Sequence, residues 1–251
     1  MKKTISIVIG ILLCFGLVSC GKKVAQKTLV ILFDLSESTN KDRARGNYLN
    51  GLKVILSKVN HGDVIVGDRI LESSVAQSIL PINESVPPFT SSTDNPFFVK
   101  KEKTKADEEL NKTKEKIYKT AESLLLRKDL KRKVMKTDIL SSLFIAEQVF
   151  KTYKNEKNIL VIFSDMIEES GDYNFAKETL SEKRIQEIIS KEKGKKRIPD
   201  LAGVKVYITG ATATTSDKFF AVQNFWFIYF KECGATLAKE NYGSALLSFK
   251  E

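Results

Sequence analysis

The chain has 251 residues, of which 42% are hydrophobic and 29% are charged. This composition is ordinary for a folded protein and excludes wholesale disorder, and the length suits one α/β domain without requiring a second. The formal net charge is +10, with three cysteines and one histidine, which argues against a disulfide framework and against a metal site built from histidine and cysteine.

The first residues predict a secretory signal. MKK precedes the apolar run ISIVIGILLCFGLVS, which at about 15 residues is shorter than the roughly 20 of a spanning helix. The LVSC that ends at Cys20 resembles a bacterial lipobox, which implies that Cys20 becomes the lipidated N-terminus. We therefore expect a signal peptide at 1–19, a lipidated tether at 20–27 and one domain at 28–251. A secreted protein with an incidental cysteine is the alternative.

The predicted anchor indicates the compartment. Several acyl chains hold a domain permanently at a membrane, so we expect a lipoprotein of the bacterial cell envelope. Gly21 rather than Asp follows Cys20, which favours the outer membrane where enteric-type sorting applies. Cys233 is then the only cysteine of the mature chain, and its apolar surroundings predict a buried, unreactive thiol.

Four stretches are predicted strands: TLVILF (28–33), GDVIVGDRIL (62–71), NILVIF (158–163) and VKVYIT (204–209). All but the second are continuously apolar, which is typical of parallel strands covered on both faces. Helical periodicity appears at 41–59, 137–153 and 219–233. This alternation predicts an α/β fold, with a doubly wound, mostly parallel, Rossmann-like sheet and helices on both faces.

Two segments interrupt the alternation. Residues 81–98 hold four of the five prolines, which predicts a loop. Residues 100–131 predict a helix rich in Lys and Glu, and its charges of both signs favour a solvated face over a binding surface.

Acidic and hydroxyl side chains follow two predicted strands. LVILF runs into Asp34, and ILVIF runs into Ser164 and Asp165. Because parallel strands end at one edge of a sheet, these two carboxylates should share that edge. Side chains two apart in an extended stretch point the same way, so Asp34, Ser36 and Ser38 can present oxygens to one point. Such hard oxygen ligands suit Mg²⁺.

These residues resemble a known family. DLSES at 34–38, Thr137 in KTDILSSL and IFSD ending at Asp165 are similar, in that order, to the metal-ion-dependent adhesion site of von Willebrand factor A domains. The resemblance covers about residues 28–240. One departure is Met166, which stands where this family commonly has Gly, so we expect the loop after the strand at 158–163 to be shaped differently.

The resemblance implies a function and the role of each site residue. Ser36, Ser38 and Thr137 would be direct or nearly direct metal ligands, and Asp34 and Asp165 would act largely through water. The ion would be Mg²⁺, with Mn²⁺ or Ca²⁺ as alternatives, and a protein partner would supply an acidic residue to its open position. We therefore expect a binding protein and no enzyme.

Other interpretations stay open. Asp34, Ser36 or Ser38 could cap the next helix, and Thr137 could cap a helix that begins at Asp138. A structural envelope scaffold could instead bind anionic lipid or polymer through its basic surface, without metal. The lysine clusters at 127–133 and 193–197 fit that reading, whereas an envelope location disfavours nucleic acid.

Catalytic alternatives have less support. The single histidine, His61, lies in the turn-like NHGD, and the chain has no nucleophile elbow and no phosphate-binding glycine loop. A metal-dependent hydrolase would use the same two carboxylates, but the sequence offers no general base for it.

Overall fold

The computed structural model describes residues 26–39, 42–126, 136–246 and 248–250. The predicted signal peptide, the predicted lipidation site Cys20 and the lysine cluster at 127–133 lie outside these residues. Within the described ranges, no helix combines the length and the apolar character that crossing a membrane would require.

Six strands form one sheet in the order β3-β2-β1-β4-β5-β6. They are β1 (Lys27–Asp34), β2 (Val64–Ile70), β3 (Ile82–Ser85), β4 (Lys157–Phe163), β5 (Lys205–Thr209) and β6 (Thr236–Gly243). All neighbouring strands are parallel except β3, which is antiparallel to β2. The predicted α/β class with a mostly parallel sheet is therefore confirmed.

Five helices in the described residues cover the two faces of this sheet. They are α1 (Asp42–Leu56), α2 (Pro96–Leu126), α3 (Ile139–Thr152), α4 (Glu182–Gly194) and α5 (Ser216–Glu232). Helices α1 and α2 share one apolar core with the sheet, and α3, α4 and α5 share the other. Every residue of β1 is buried, and Ile31 and Leu32 belong to opposite cores, which explains the continuous apolar pattern of this central strand.

Three elements were absent from the sequence prediction. The segment 81–98 is not only a loop, because it contains β3 and its Pro96 is the first residue of α2, where a missing N–H costs no helical hydrogen bond. Strand β6 was missed because it is a half-exposed edge strand with a polar sequence. Helix α4 was also missed, although the Ser181 hydroxyl caps it by accepting from the Arg184 N–H.

Helices α1 and α2 run antiparallel to each other. Near the carboxyl edge of the sheet, Arg45 Nη1 donates to the Leu125 carbonyl at 2.5 Å. At the amino edge, His61 Nε2 lies 2.8 Å from Asp107 Oδ1. Residues 96–106 of α2 therefore extend past the amino edge by about 16 Å, at about 1.5 Å per residue.

The start of β1 is fixed at the same amino edge. Lys27 Nζ lies 2.9 Å from Asp63 Oδ2, and both side chains are only 2% exposed. The Lys27 ammonium also donates to the Lys58 carbonyl at 2.6 Å. These bonds compensate the cost of burying the two charges, so the chain enters the sheet at a defined position.

Candidate metal centre at the carboxyl edge of the sheet

The ends of β1 and β4 lie side by side, as the sequence predicts. Phe33 is paired with Phe163 in the parallel register of these strands. The next residues, Asp34 and Ser164, are both fully buried, and Ser164 Oγ donates to Asp34 Oδ2 at 2.7 Å. The two acidic segments therefore meet directly at one edge.

The three residues of the Asp34 segment converge, but not in the extended conformation that the sequence pattern suggested. The chain turns at residues 36–39, and the Ser36 N–H donates to Asp34 Oδ1 at 2.8 Å. Ser36 Oγ lies 3.0 Å from Ser38 Oγ. The Thr39 hydroxyl lies 3.0 Å from the carbonyls of both Asp34 and Ser36. These three side chains do converge, as predicted, but a tight turn brings them together rather than the alternation of side chains along an extended strand.

The capping alternatives are wrong. Asp138 is the N-cap of α3, because its side chain accepts from the Ser141 N–H, so Thr137 lies one residue before the cap. Helix α1 begins at Asp42, and none of Asp34, Ser36 and Ser38 is adjacent to it. Their positions are explained by the sheet edge rather than by a helix terminus.

Thr137 reaches the edge through its main chain. Its N–H and carbonyl exchange two hydrogen bonds of 2.9 Å with Glu169, and Glu169 lines the same cleft as Ser38 and Asp165. Thr137 itself is 2% exposed. The structure thus joins Asp34, Ser36, Ser38 and Asp165 through their side chains, and Thr137 by the strand-like pairing of the segment that carries it.

The loop after β4 has an unusual backbone. Met166 has φ of 66°, a left-handed conformation that costs a residue with a Cβ atom energy and costs glycine none. Its N–H donates to Ser164 Oγ at 2.9 Å, and its carbonyl accepts from Trp226 Nε1 at 2.9 Å. Met166 therefore keeps a conformation that favours glycine, and its buried side chain compensates by packing in the core.

Asp165 is oriented by the same loop. Its Oδ1 accepts from the Ile167 N–H at 3.0 Å, and the Thr212 N–H from the loop after β5 approaches its carbonyl at 3.4 Å. Asp165 is 8% exposed, in contrast to the fully buried Asp34. This carboxylate therefore stands at the boundary between the protein interior and the cleft above it.

A cleft of about 880 Å³ opens above these residues. Its floor includes Gly210, whose φ is 100° and whose missing Cβ leaves room for the Tyr48 ring. Both signs of charge line it, with Arg43 and Lys218 beside Asp165 and Glu169. The remaining lining residues are mostly small or polar: Ser38, Thr39, Ala44, Asn47, Ile167, Ala176, Thr212, Ala213, Thr214, Ser244 and Ala245.

Burial and mutual repulsion shape the electrostatics of the two acids. Burial, and then the charge of Asp165, raise the pKa of Asp34 to about 7 against the hydrogen bonds from Ser164 and Ser36, which lower it. Burial also raises the pKa of Asp165, and the Ser38 hydroxyl partly offsets that rise. Ionising two buried carboxylates that lie close together costs electrostatic free energy, and a bound cation would offset that cost.

The donor set fits a hard divalent cation. Among the described residues, no group of three or more His, Cys, Asp and Glu side chains could hold a metal ion, so hydroxyl groups must complete any site here. Two carboxylates with serine and threonine hydroxyls are oxygen ligands throughout, as Mg²⁺ prefers. Ser36, Ser38 and Asp165 could hold an ion at this edge, and Asp34 lies behind them.

The other chemically active side chains lie elsewhere. His61 precedes β2 at the amino edge and contacts Asp107 and the Phe89 ring, so it is remote from the acids. Cys233 is buried and free, and burial raises the pKa of its thiol far above the ordinary value. The predictions of a loop histidine and a buried cysteine are confirmed.

Sequence reasoning missed part of the site. Ser164 was noticed only as the residue before Asp165, although a hydroxyl at the end of a buried strand is itself a signal. Tyr48 and Glu169 carried no such signal, because only the folded chain brings them to the cleft. The charges of Asp34 and Asp165 add to burial in raising the pKa of Tyr48.

No protein-family model matches this sequence, and no curated protein matches it. Among solved structures, the PilB minor pilin from Streptococcus sanguinis aligns with a TM-score of 0.51 and 11% identity over 86% of this chain and 57% of that one. This likeness shows that the two chains share a fold.

Two weaker likenesses are to proteins named for von Willebrand factor type A or for the metal-ion-dependent adhesion site motif. A von Willebrand factor type A protein from Catenulispora acidiphila gives a TM-score of 0.41 and 11% identity over 85% of this chain and 44% of that one. Proximal thread matrix protein 1 from the mussel byssus, with a zinc-occupied metal-ion-dependent adhesion site motif, gives a TM-score of 0.42 and 12% identity over 88% of this chain and 42% of that one. The chain thus spans about half the length of each of these three proteins.

Proposed function

We propose that this chain binds a protein partner through a Mg²⁺-type ion held by Ser36, Ser38, Thr137, Asp34 and Asp165. The observation that carries the proposal is the convergence of oxygen atoms from two strand ends at the floor of an open cleft. A bound ion would supply an electrophilic point for a carboxylate of the partner. The mostly parallel α/β sheet supports the proposal, because the carboxyl edge of the strands is where open α/β sheets bind ligands.

The burial of each side chain in the site determines how it can act on an ion. Both Asp34 oxygens already accept hydrogen bonds from within the protein, one from Ser164 and one from the Ser36 N–H. Asp34 therefore acts behind the ion, through water or through the hydroxyls that it orients. Ser38 and Asp165 line the cleft and face the partner.

The charges of the cleft suit an acidic segment of a partner. Arg43 and Lys218 line its walls and would attract an acidic segment towards the ion. The single histidine lies at the opposite edge of the sheet, so no imidazole base is available to the cleft. We therefore favour binding without reaction over a metal-dependent hydrolase.

Metal-dependent stabilisation tests the proposal. Residues 21–251 are heated with and without millimolar MgCl₂ or MnCl₂, and the wild type should melt at a higher temperature with metal because only the folded state binds the ion. Asp34→Asn should abolish the rise. Glu169→Gln is the matched control, since it removes an acidic charge from the same cleft without removing a predicted ligand. An unchanged wild-type melting temperature contradicts metal binding.

Partner capture separates the proposal from its main alternative. Envelope extracts are passed over the wild type and over Asp165→Ala, with and without EDTA. A metal-bridged partner is retained only by the wild type and only without EDTA. A contact made by the basic surface would instead ignore EDTA and weaken steeply with salt, and that result would favour the structural scaffold.

We also propose that the protein is a lipid-anchored component of the bacterial envelope, modified at Cys20. The support is the lipobox-like LVSC after a basic and apolar segment. Labelled palmitate should be incorporated into the wild type and not into Cys20→Ser. Label in both proteins, or in neither, contradicts lipidation at this residue.

A further inference from the structure

The first turns of α2 carry exposed aromatic and basic side chains together. Phe97 and Phe98 are 73% and 52% exposed, and their rings contact each other edge to face. Exposed lysines follow at 100, 101, 103 and 105. We call Phe97, Phe98, Lys100, Lys101, Lys103 and Lys105 the α2 tip.

Folding does not account for the α2 tip. The N-terminal end of a helix is the positive end of its dipole and disfavours cations, yet lysines follow directly and the first turn has no acidic residue. The buried side chains of α2 begin only at Leu110. Glu102, the one acid among these lysines, accepts hydrogen bonds from Ser91 and Ser92 instead.

The ion pairs of α2 are distributed unevenly along the helix. Within the described ranges, none of the four tip lysines forms an ion pair. Further along the helix, Lys112 lies 2.7 Å from Glu109 and Lys119 lies 2.6 Å from Glu115. The tip presents unneutralised positive charge, whereas Lys112 and Lys119 are each neutralised by an acid of the same helix.

The α2 tip lies at the end of the molecule where the N-terminal chain enters. Residues 96–106 extend past the amino edge of the sheet, and β1 begins at that edge with the Lys27–Asp63 ion pair. The side chain of Gln26 lies against Gly62, next to the His61 that contacts α2. A membrane attached to the preceding residues would therefore be close to the tip.

We propose that the α2 tip rests on an anionic lipid surface. The two phenylalanine rings enter the boundary between headgroups and acyl chains, and the four lysines contact the negative headgroups, as in interfacial amphipathic segments. Charge complementarity and the position of the N-terminal chain identify this occupant, and the second of these arguments rests on the lipid anchor proposed at Cys20. The surface does not depend on the metal site, which lies at the opposite edge and would point away from the membrane.

Lysine labelling on vesicles tests this proposal with the full chain. The protein is incorporated into vesicles of phosphatidylcholine alone or with added phosphatidylglycerol, and amine acetylation is read at each lysine by mass spectrometry. The four tip lysines should be labelled about fivefold less on the anionic vesicles. Lys112 and Lys119 are internal controls on the same helix and should change little. Equal labelling of the tip lysines on both vesicles overturns the proposal.

Paired variants identify the residues responsible. Phe97→Ser combined with Phe98→Ser should remove the protection, and the matched control Phe220→Ser, which alters an aromatic residue 61% exposed on α5, should keep it. All three residues are exposed, so the fold should tolerate these changes. Protection that grows with protein concentration on neutral vesicles would identify a second copy of the chain as the occupant, and would also overturn the proposal.

Discussion

Ser164 Oγ donates to Asp34 Oδ2 at 2.7 Å, and this bond joins the residue after β4 to the last residue of β1. The same Ser164 oxygen accepts from the Met166 N–H at 2.9 Å. One hydroxyl therefore sets both the orientation of the buried acid and the path of the loop that carries Asp165. The geometry of the candidate metal centre depends on a residue outside its predicted ligand set.

Replacing Ser164 by Ala should destabilise the protein. The change leaves a buried carboxylate oxygen and a main-chain N–H without their partner, which costs about 1–3 kcal/mol. Chemical denaturation would measure the loss in the free energy of unfolding. Ser57→Ala, which removes an exposed hydroxyl bonded only to a local carbonyl, is the control and should change stability by less than about 0.5 kcal/mol. Equal effects of the two changes would contradict the role of Ser164.

Metal affinity should depend on pH. Burial and the Asp165 charge raise the pKa of Asp34 to about 7, so the metal-free protein holds a proton there below that pH. Because the ion must displace this proton, affinity for Mg²⁺ should fall by up to about tenfold per pH unit below about pH 7 and level off above it. Titration calorimetry in two buffers of different ionisation enthalpy would count the released protons. Metal binding without proton release would contradict the assignment.

Glu168 should make stability fall as pH rises. Its Oε2 accepts from the N–H groups of Ile139 and Leu140 at 2.8 and 3.1 Å, while burial raises its pKa to about 8 from 4.5. Between these pH values the folded protein keeps a proton that the unfolded chain releases. The free energy of unfolding therefore decreases through that window, by up to about 1.4 kcal/mol per pH unit.

Glu168→Gln tests this linkage. The amide oxygen can still accept from the two N–H groups, but the side chain no longer ionises. The difference in unfolding free energy between variant and wild type should grow in favour of the variant between about pH 4.5 and about pH 8. Asp34 and Asp165 contribute to both proteins and cancel in the difference. A difference that is constant with pH would contradict the raised pKa.

At Met166, a glycine variant should be more stable than an alanine variant, which is the reverse of the order in a helix. Both Met166→Gly and Met166→Ala remove a buried side chain, at a cost of about 2–5 kcal/mol. Because φ at this position is 66°, glycine avoids the left-handed strain, and the Gly variant should be more stable than the Ala variant by about 1 kcal/mol. At Ala146, within α3, the usual order should hold, so Ala146→Gly should be less stable than the wild type. Thermal unfolding of the wild type and these three variants would decide it.

The sequence was sufficient for the features that follow from continuous burial. A strand covered on both faces reads as an apolar run, so β1 and β4 were found with their acidic ends. Edge strand β6 is half exposed and carries Lys239, Glu240 and Asn241, so no period distinguished it from a loop. Burial of a strand selects apolar residues and so produces a pattern that can be recognised in the sequence. An edge strand is buried less and therefore shows little of this pattern.

The sequence predicted which residues form the site more accurately than it predicted their arrangement. Side-chain identity and order pointed to Asp34, Ser36, Ser38 and Asp165, but the turn at 36–39 depends on the hydrogen bonds of Thr39, which no periodicity shows. Asp138 rather than Thr137 caps α3. Both residue types are preferred at N-caps, and the ranking of Asp above Thr is the one signal in the sequence that separates the two neighbours.

Strand β1 has mechanical consequences. It begins at Lys27, where the N-terminal chain enters, and ends at Asp34 in the candidate metal centre, with parallel partners on both sides. Tension between that chain and a ligand at the opposite edge would run along this single central strand and load its hydrogen bonds to β2 and β4 in shear, all together rather than one after another. The pulling force would then meet the most buried strand of the sheet before it could disturb any helix.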